Sequence, residues 1–153
     1  MKSKIAQTII SGLVATAIMT VVGLMAPYMG LPKMNPAEML SGMIGVPLIA
    51  GYLMHGMIGI IFAAAFVYLF NPKVHIENIL FKGSLFGLSV FLFAQMMMFI
   101  MGKLMPMPAM EDNMMPMMLG SLIGHLVFGI VVSLIVPKYY IEQNKHHIRA
   151  AHV

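Results

Sequence analysis

Residues 45–70 read GVPLIAGYLMHGMIGIIFAAAFVYLF, an unbroken apolar stretch with no charged side chain and a single histidine. Coiled as an α-helix at about 1.5 Å per residue, it reaches about 39 Å, more than the roughly 30 Å of a bilayer's hydrocarbon core. Three further runs, about 5–29, 79–102 and 115–136, have the same character. The chain as a whole is 60% hydrophobic and 9% charged, whereas a soluble domain carries about 25% charged residues to cover its surface. The expected fold class is therefore all-α: an integral-membrane four-helix bundle over residues 1–137, followed by a short tail over 138–153.

The first run is preceded by Lys2 and Lys4, as in a secretory signal. It is longer than a signal's apolar region and lacks a small-residue cleavage site, so it reads as a retained helix. Basic residues set the expected orientation. Lys2, Lys4, Lys73, Lys82, Lys138, Lys145 and Arg149 fall at the N-terminus, the second loop and the tail, against Lys33 and Lys103 in the first and third loops. The positive-inside rule then places both termini in the cytoplasm, with a bacterial inner membrane as the expected location. Tyr28, Tyr68, Tyr139 and Tyr140 lie near the ends of the runs, where amphipathic rings favour the interface.

The loops have their own signals. Asn35-Pro36-Ala37-Glu38 reads as a helix start, with an Asn cap, Pro at the first helical position and Glu at the third. It predicts a short interfacial helix over about 36–43, broken by Gly42, Gly45 and Pro47. Asn71-Pro72 predicts the stop of the second span, and Pro137 that of the fourth.

A tandem repeat ties the second and fourth spans together. Gly51, His55, Gly59 and Ala63 recur as Ser121, His125, Gly129 and Ser133. Each set is spaced by four and so occupies one helix face. Gly12-x-x-x-Thr16 pairs in the same way with Gly83-x-x-x-Gly87. Two helical hairpins related by duplication follow, their small-residue stripes facing the interior where backbones pack closely.

Leu31-Pro32, the stretch from Gly45 to Ala63 with its Gly51-Tyr52-Leu53-Met54-His55 core, Gly83 to Phe91, the Met105-Pro106-Met107 turn, and His125 to Gly129 together resemble an uncharacterised family of small four-helix bacterial membrane proteins. The resemblance covers most of the chain. It implies a fold and a membrane location but no activity, the family being a domain of unknown function. In that family a Gly-Trp pair precedes the first histidine and the third loop is Gly-rich. Here Tyr52 takes the Trp place, and the loop runs through Glu111-Asp112-Asn113.

Two features bear on function. An ionisable group inside a bilayer is costly, so His55 and His125 are candidate functional residues. Two neutral imidazoles on separate helices suit axial ligation of haem b, with Gly51, Gly59, Ser121 and Gly129 as clearance for the porphyrin. The competing reading is a pair of imidazoles hydrogen-bonded across helices, with the small residues serving close packing. The second feature is the chain's twenty methionines. Met105, Met107, Met110, Met114 and Met115 crowd the third loop, and soft thioethers select Cu(I). The alternative is that Met here is an adaptable apolar filler at a partner surface.

Other chemistry has weaker support. All five acidic residues lie outside the spans, which argues against a carboxylate proton relay. The chain has no cysteine, which excludes disulfides and thiol catalysis. Ser121 and His125 stand one turn apart but in no nucleophile motif. Gln95 is expected to bond between helices. The tail's Lys145, His146, His147, Arg149 and His152 read as a solvated end or a site for anionic lipid headgroups. The expectation is a non-catalytic accessory or assembly subunit of a larger, respiratory-type membrane complex that holds haem b. A Cu(I)-handling protein and a small transporter or channel are the alternatives.

Overall fold

The computed structural model describes residues 4–104 and 114–136. Four helices in it are long and apolar enough to cross a membrane, with a short fifth between the first two, and the described residues contain no strand. Helix α1 spans Lys4–Met25 and tightens into a 3₁₀ turn over Ala26–Met29. Helix α2 is Pro36–Ile44. Helix α3 runs Leu48–Lys73, α4 Ile79–Leu104 and α5 Met114–Ile135.

The start of α2 follows the capping logic. The Asn35 side-chain oxygen accepts from the backbone N–H of Ala37 at 3.1 Å and of Glu38 at 3.5 Å, with Pro36 next in line. Gly42 does not interrupt the helix, which continues to Ile44. It ends where Gly45 turns left-handed (φ 73°) and the amides of Gly45 and Val46 both reach the Ser41 carbonyl. Lys33 pairs with Glu38 at 3.2 Å in an exposed position. The Asn35 side chain, and then Lys33, hold the Glu38 carboxyl below its ordinary range.

One boundary differs from expectation. Helix α3 does not stop at Asn71-Pro72 but carries on to Lys73. Pro72 has no N–H to donate, and its ring would strike the carbonyl four residues back. A π turn over Phe66–Phe70, just before it, widens the ladder and accommodates the proline.

Packing inverts the pattern of a soluble protein. Ile49, Leu53, Met57 and Ile61, spaced by four on α3, are exposed, while Gly51, His55, Gly59 and Ala63 on another face are buried. Gly12 and Thr16 of α1, Gly83 and Gly87 of α4, and Gly129 and Ser133 of α5 are buried as well. The apolar core joins Ala15 and Met19 to Phe66, Phe86, Val90, Phe128 and Val132. The pairs α1–α3 and α4–α5 form the two hairpins, and α1 packs on α5 to join them. Between α3 and α4 the contact is made by rings: Phe66 and Phe70 both meet Phe86, at 4.9 and 5.1 Å between centroids, and Phe62 meets Phe93 at 5.6 Å.

The duplication reappears as one contact made twice. A methyl group at Gly59 would collide with Thr16 Oγ1 and lie 3.1 Å from the Gly12 carbonyl oxygen. One at Gly129 would collide with the Gly83 carbonyl oxygen and lie 2.5 Å from Gly87 N. In each hairpin, a glycine four residues past the histidine lets two backbones touch.

Candidate functional site

The two histidines lie at one depth, and α1 serves as the ruler. Gly59 sits between Gly12 and Thr16 of the antiparallel α1, so His55, one turn earlier, is level with about Ile18. Gly124 sits against Met19, where an added methyl would lie 3.4 Å from Cε, so His125 is level with the same turn. Both helices pack against α1, one in each hairpin.

Their surroundings differ. His125 is tethered within its own helix. Its Nδ1 lies 2.7 Å from the Ser121 carbonyl, which can only accept, so Nδ1 carries the proton. A neutral ring with Nδ1 protonated has its lone pair on Nε2, the nitrogen left for a ligand. Ser121 Oγ sits 3.4 Å from the same Nδ1 and accepts from Gln95 Nε2 of α4 at 3.5 Å. The expected interhelical bond of Gln95 is thus present, at long range. With its proton held by the carbonyl, Nδ1 has no lone pair to take the Ser121 proton, so the two residues are not arranged as a nucleophile and base. Phe91 closes one edge of the ring at 5.9 Å between centroids.

His55 is 8% exposed, and its Nε2 makes no hydrogen bond. Thr16 on α1 is in the same condition, 7% exposed with Oγ1 unpartnered. An unpaired buried polar atom costs about 1–3 kcal/mol, so two of them on facing helices require an explanation. Both residues line a cleft of about 360 Å³ between α1 and α3. Tyr52 stands at its α2 end, its hydroxyl accepting from Asn35 Nδ2 at 3.1 Å. Thr20 also lines the cleft, but its hydroxyl is committed to the Thr16 carbonyl at 2.8 Å.

The small residues flanking the histidines are in contact with neighbours. A methyl at Gly51 would strike the Ala37 carbonyl oxygen of α2, and Gly59 and Gly129 meet Thr16 and Gly83 as described. Ser121 faces Gln95 and His125. A porphyrin at these four positions would have to displace those contacts.

The methionine cluster divides. Met105, Met107 and Met110 lie outside the described residues, as does the tail over 138–153. Met114 and Met115, in the first turn of α5, are exposed, as are Met96 and Met97 on α4 and Met118 on α5. Among the described residues no group of three or more His, Asp or Glu is placed to hold a metal ion.

Thr16 and Tyr52 are the residues that sequence reasoning missed as part of a site. By spacing alone, Thr16 is only the small residue that closes the Gly12-x-x-x-Thr16 pair, and Tyr52 only the residue before the Leu53-Met54-His55 stretch. Spacing does carry a signal for Thr16, since a hydroxyl on the face that meets the His55 stripe is a natural imidazole partner.

No curated protein and no solved structure matches the chain. A family profile does, over residues 2–147, nearly the whole length. With its four apolar helices, the chain belongs to a family of unknown function, DUF6789.

Proposed function

We propose that the protein is a non-catalytic accessory subunit of a larger bacterial inner-membrane complex, and that its intramembrane histidines hold a bound group. The observation that carries this is His55 Nε2, buried without a partner at the depth of His125, whose own Nε2 has the free lone pair. An imidazole placed in this way can hold a bound group through its ring nitrogen.

Haem b held by His55 and His125 is the cofactor form of this reading. It requires α3 to part from α1 and α2, and α5 from α4, because Gly51 lies against Ala37, Gly59 against Gly12 and Thr16, and Gly129 against Gly83 and Gly87. The test is an absorption spectrum of the protein purified from its native membrane, before and after reduction. A Soret band that disappears in His55→Ala and His125→Ala supports haem. A colourless protein that co-purifies with partner subunits leaves the accessory role without the haem.

A second reading rests on the exposure of Met114 and Met115 beside Met96, Met97 and Met118. Thioethers gathered at one end of α4 and α5 suit Cu(I). Together with Met105, Met107 and Met110 they would form a copper-handling surface. Metal analysis decides it: copper that is lost when Met114 and Met115 become Leu supports this reading, and an unchanged copper content refutes it.

A further inference from the structure

Each hairpin is held together by backbone contact, and the two hairpins are held to each other by side chains. Inside the first, Gly59 lies against Gly12 and Thr16. Inside the second, Gly129 lies against Gly83 and Gly87, and Ser133 Oγ donates across to the Ile79 carbonyl at 3.0 Å. Between the hairpins the partners are flexible or aromatic. The α5 glycines that face the first hairpin, Gly120 and Gly124, have the thioethers of Met34 and Met19 as neighbours. On the other side, α3 and α4 meet through Phe62 on Phe93 and through Phe66 and Phe70 on Phe86, without a glycine crossing. This seam is tied at one end, where the linker over 74–78 joins the helices and Lys82 Nζ donates to the Asn71 carbonyl at 3.3 Å. From Phe62 toward the α2 end, the described residues place no ring contact or hydrogen bond between α3 and α4.

We infer that the hairpins are two rigid leaves that open along the α3–α4 seam, that the phenylalanine rings are its latch, and that this opening is how a bound group reaches His55. The inference rests on the functional reading only in taking His55 as a residue that holds such a group. Phe62 and Phe66 follow His55 by seven and eleven residues, which places them within about 20° of it around α3. His55 therefore stands on the seam face, on the untied side of the Phe62–Phe93 pair. Its Nε2 is enclosed and has no partner, so nothing reaches it until the helices move. The seam is where they part most readily. A glycine crossing loses its whole backbone contact at once, whereas offset rings slide and thioethers change rotamer at small cost. Opening also gives Nε2 access to a partner, and relief of an unpaired buried nitrogen offsets part of what the rings lose. His125 belongs to the second leaf, so the two imidazoles separate as the leaves do. Rigid units hinged about a shared contact are a common form of domain opening.

The test uses the full chain in nanodiscs of phosphatidylcholine. The chain has no cysteine, so pairs of introduced cysteines take spin labels cleanly. Leu53, Met97, Val21, Leu69 and Leu80 are exposed positions for them. Pulsed electron resonance should give a broad distance distribution between Leu53 on α3 and Met97 on α4, across the untied part of the seam. Leu53 with Val21, within the first leaf, and Leu69 with Leu80, at the tied end, should give narrow ones. Phe93→Leu, at a half-exposed position, removes one ring contact of the latch and keeps an apolar side chain. It should raise the longer Leu53–Met97 population about two- to tenfold, and the Leu53–Val21 distance should stay narrow, which checks that the hairpin is intact. Acylation of His55 by diethyl pyrocarbonate, read by mass spectrometry against the exposed His75, should rise by the same factor in Phe93→Leu. Cysteines at Phe62 and Phe93 joined by a short bis-maleimide should suppress it. A Leu53–Met97 distribution as narrow as the controls in both proteins, a His55 rate that Phe93→Leu leaves unchanged, or a rate undiminished by the cross-link would each overturn the inference. The outcome is separable from that of the haem reading: a Soret band with immobile leaves refutes the latch alone, and mobile leaves in a colourless protein refute haem alone.

Discussion

Gly129→Ala tests the contact on which the second hairpin is built. The added methyl would meet backbone on every side: the Gly83 carbonyl oxygen, Gly87 N at 2.5 Å and Gly87 Cα at 2.7 Å. Ordinary contact begins at 3.4 Å, so α4 and α5 must part by about 1 Å, the difference between 3.4 and 2.5. Backbone cannot rotate out of the way as a side chain does. Overpacking of this kind costs about 1–3 kcal/mol. The lost Cα–H···O approach adds about 0.5–1 kcal/mol. A destabilisation of about 1.5–4 kcal/mol follows. Gly124→Ala, on the same helix, is the control. Its methyl would meet only Met19 Cε and Cγ at 3.4 Å, the end of a flexible thioether, so its effect should stay within about 0.5 kcal/mol. Both variants are measured by SDS-induced unfolding in mixed micelles, followed by circular dichroism. Equal transitions for the two would refute the reasoning that the α4–α5 crossing depends on glycine.

Asn35→Ala removes the α2 cap and the link to Tyr52, and should cost about 1–2 kcal/mol; hydrogen exchange at the Ala37 and Glu38 amides should quicken first, and unchanged protection there would contradict the cap's role. The Glu38 carboxyl, held low by Asn35 and then Lys33, should titrate below 4.5 by carbon-13 NMR and move back toward that value in Asn35→Ala. A depressed folded value means that its contribution is present above the unfolded value and is lost as pH falls through the folded one; a midpoint that ignores Asn35 would show that the hydrogen bond is absent in the bilayer. Gly42→Ala meets nothing within 4 Å and lies mid-helix, so it should stabilise α2 by about 0.4–1 kcal/mol in the same unfolding assay, and a loss would point to a contact at that face. For the orientation, single cysteines at Lys33 and Lys73 should divide: an impermeant thiol reagent labels the first in intact cells, and labelling of the second would reverse the topology.

The spans were legible because lipid makes a strong demand on composition, with about twenty apolar residues and few charges in each. The interior faces were legible for the opposite reason to that in a soluble protein: the Gly51, His55, Gly59 and Ala63 stripe is the less apolar face, and lipid expels it. The cap at Asn35 follows from local chemistry alone, so sequence suffices there. The end of α3 does not, since the π turn that lets the helix pass Pro72 depends on how Phe66 and Phe70 pack against Phe86. The cleft was also out of reach. Whether the Thr16 hydroxyl finds a partner depends on the crossing of α1 and α3, which small-residue spacing permits but does not fix. The small residues around the histidines carried two readings, clearance or packing, and only the approach of neighbouring backbones separates them.

The duplication provides an internal comparison that a single hairpin would lack. The two histidines share a helix position, a depth and a glycine one turn on, yet one ring is tied and the other has a polar atom without a partner. The residue one turn before each also differs. Ser121 faces α4, where Gln95 donates to its hydroxyl, and its carbonyl accepts from His125 Nδ1. Gly51 faces α2, and its missing side chain lets the Ala37 carbonyl close against it. The interfacial helix therefore occupies, in the first hairpin, the place where a serine side chain works in the second. Since α2 is held there by Asn35, which also binds Tyr52 at the end of the cleft, one capping residue couples the outer surface of the protein to the neighbourhood of His55. A ligand that orders Tyr52 should then protect the α2 amides from exchange, and loosening α2 should weaken whatever His55 holds.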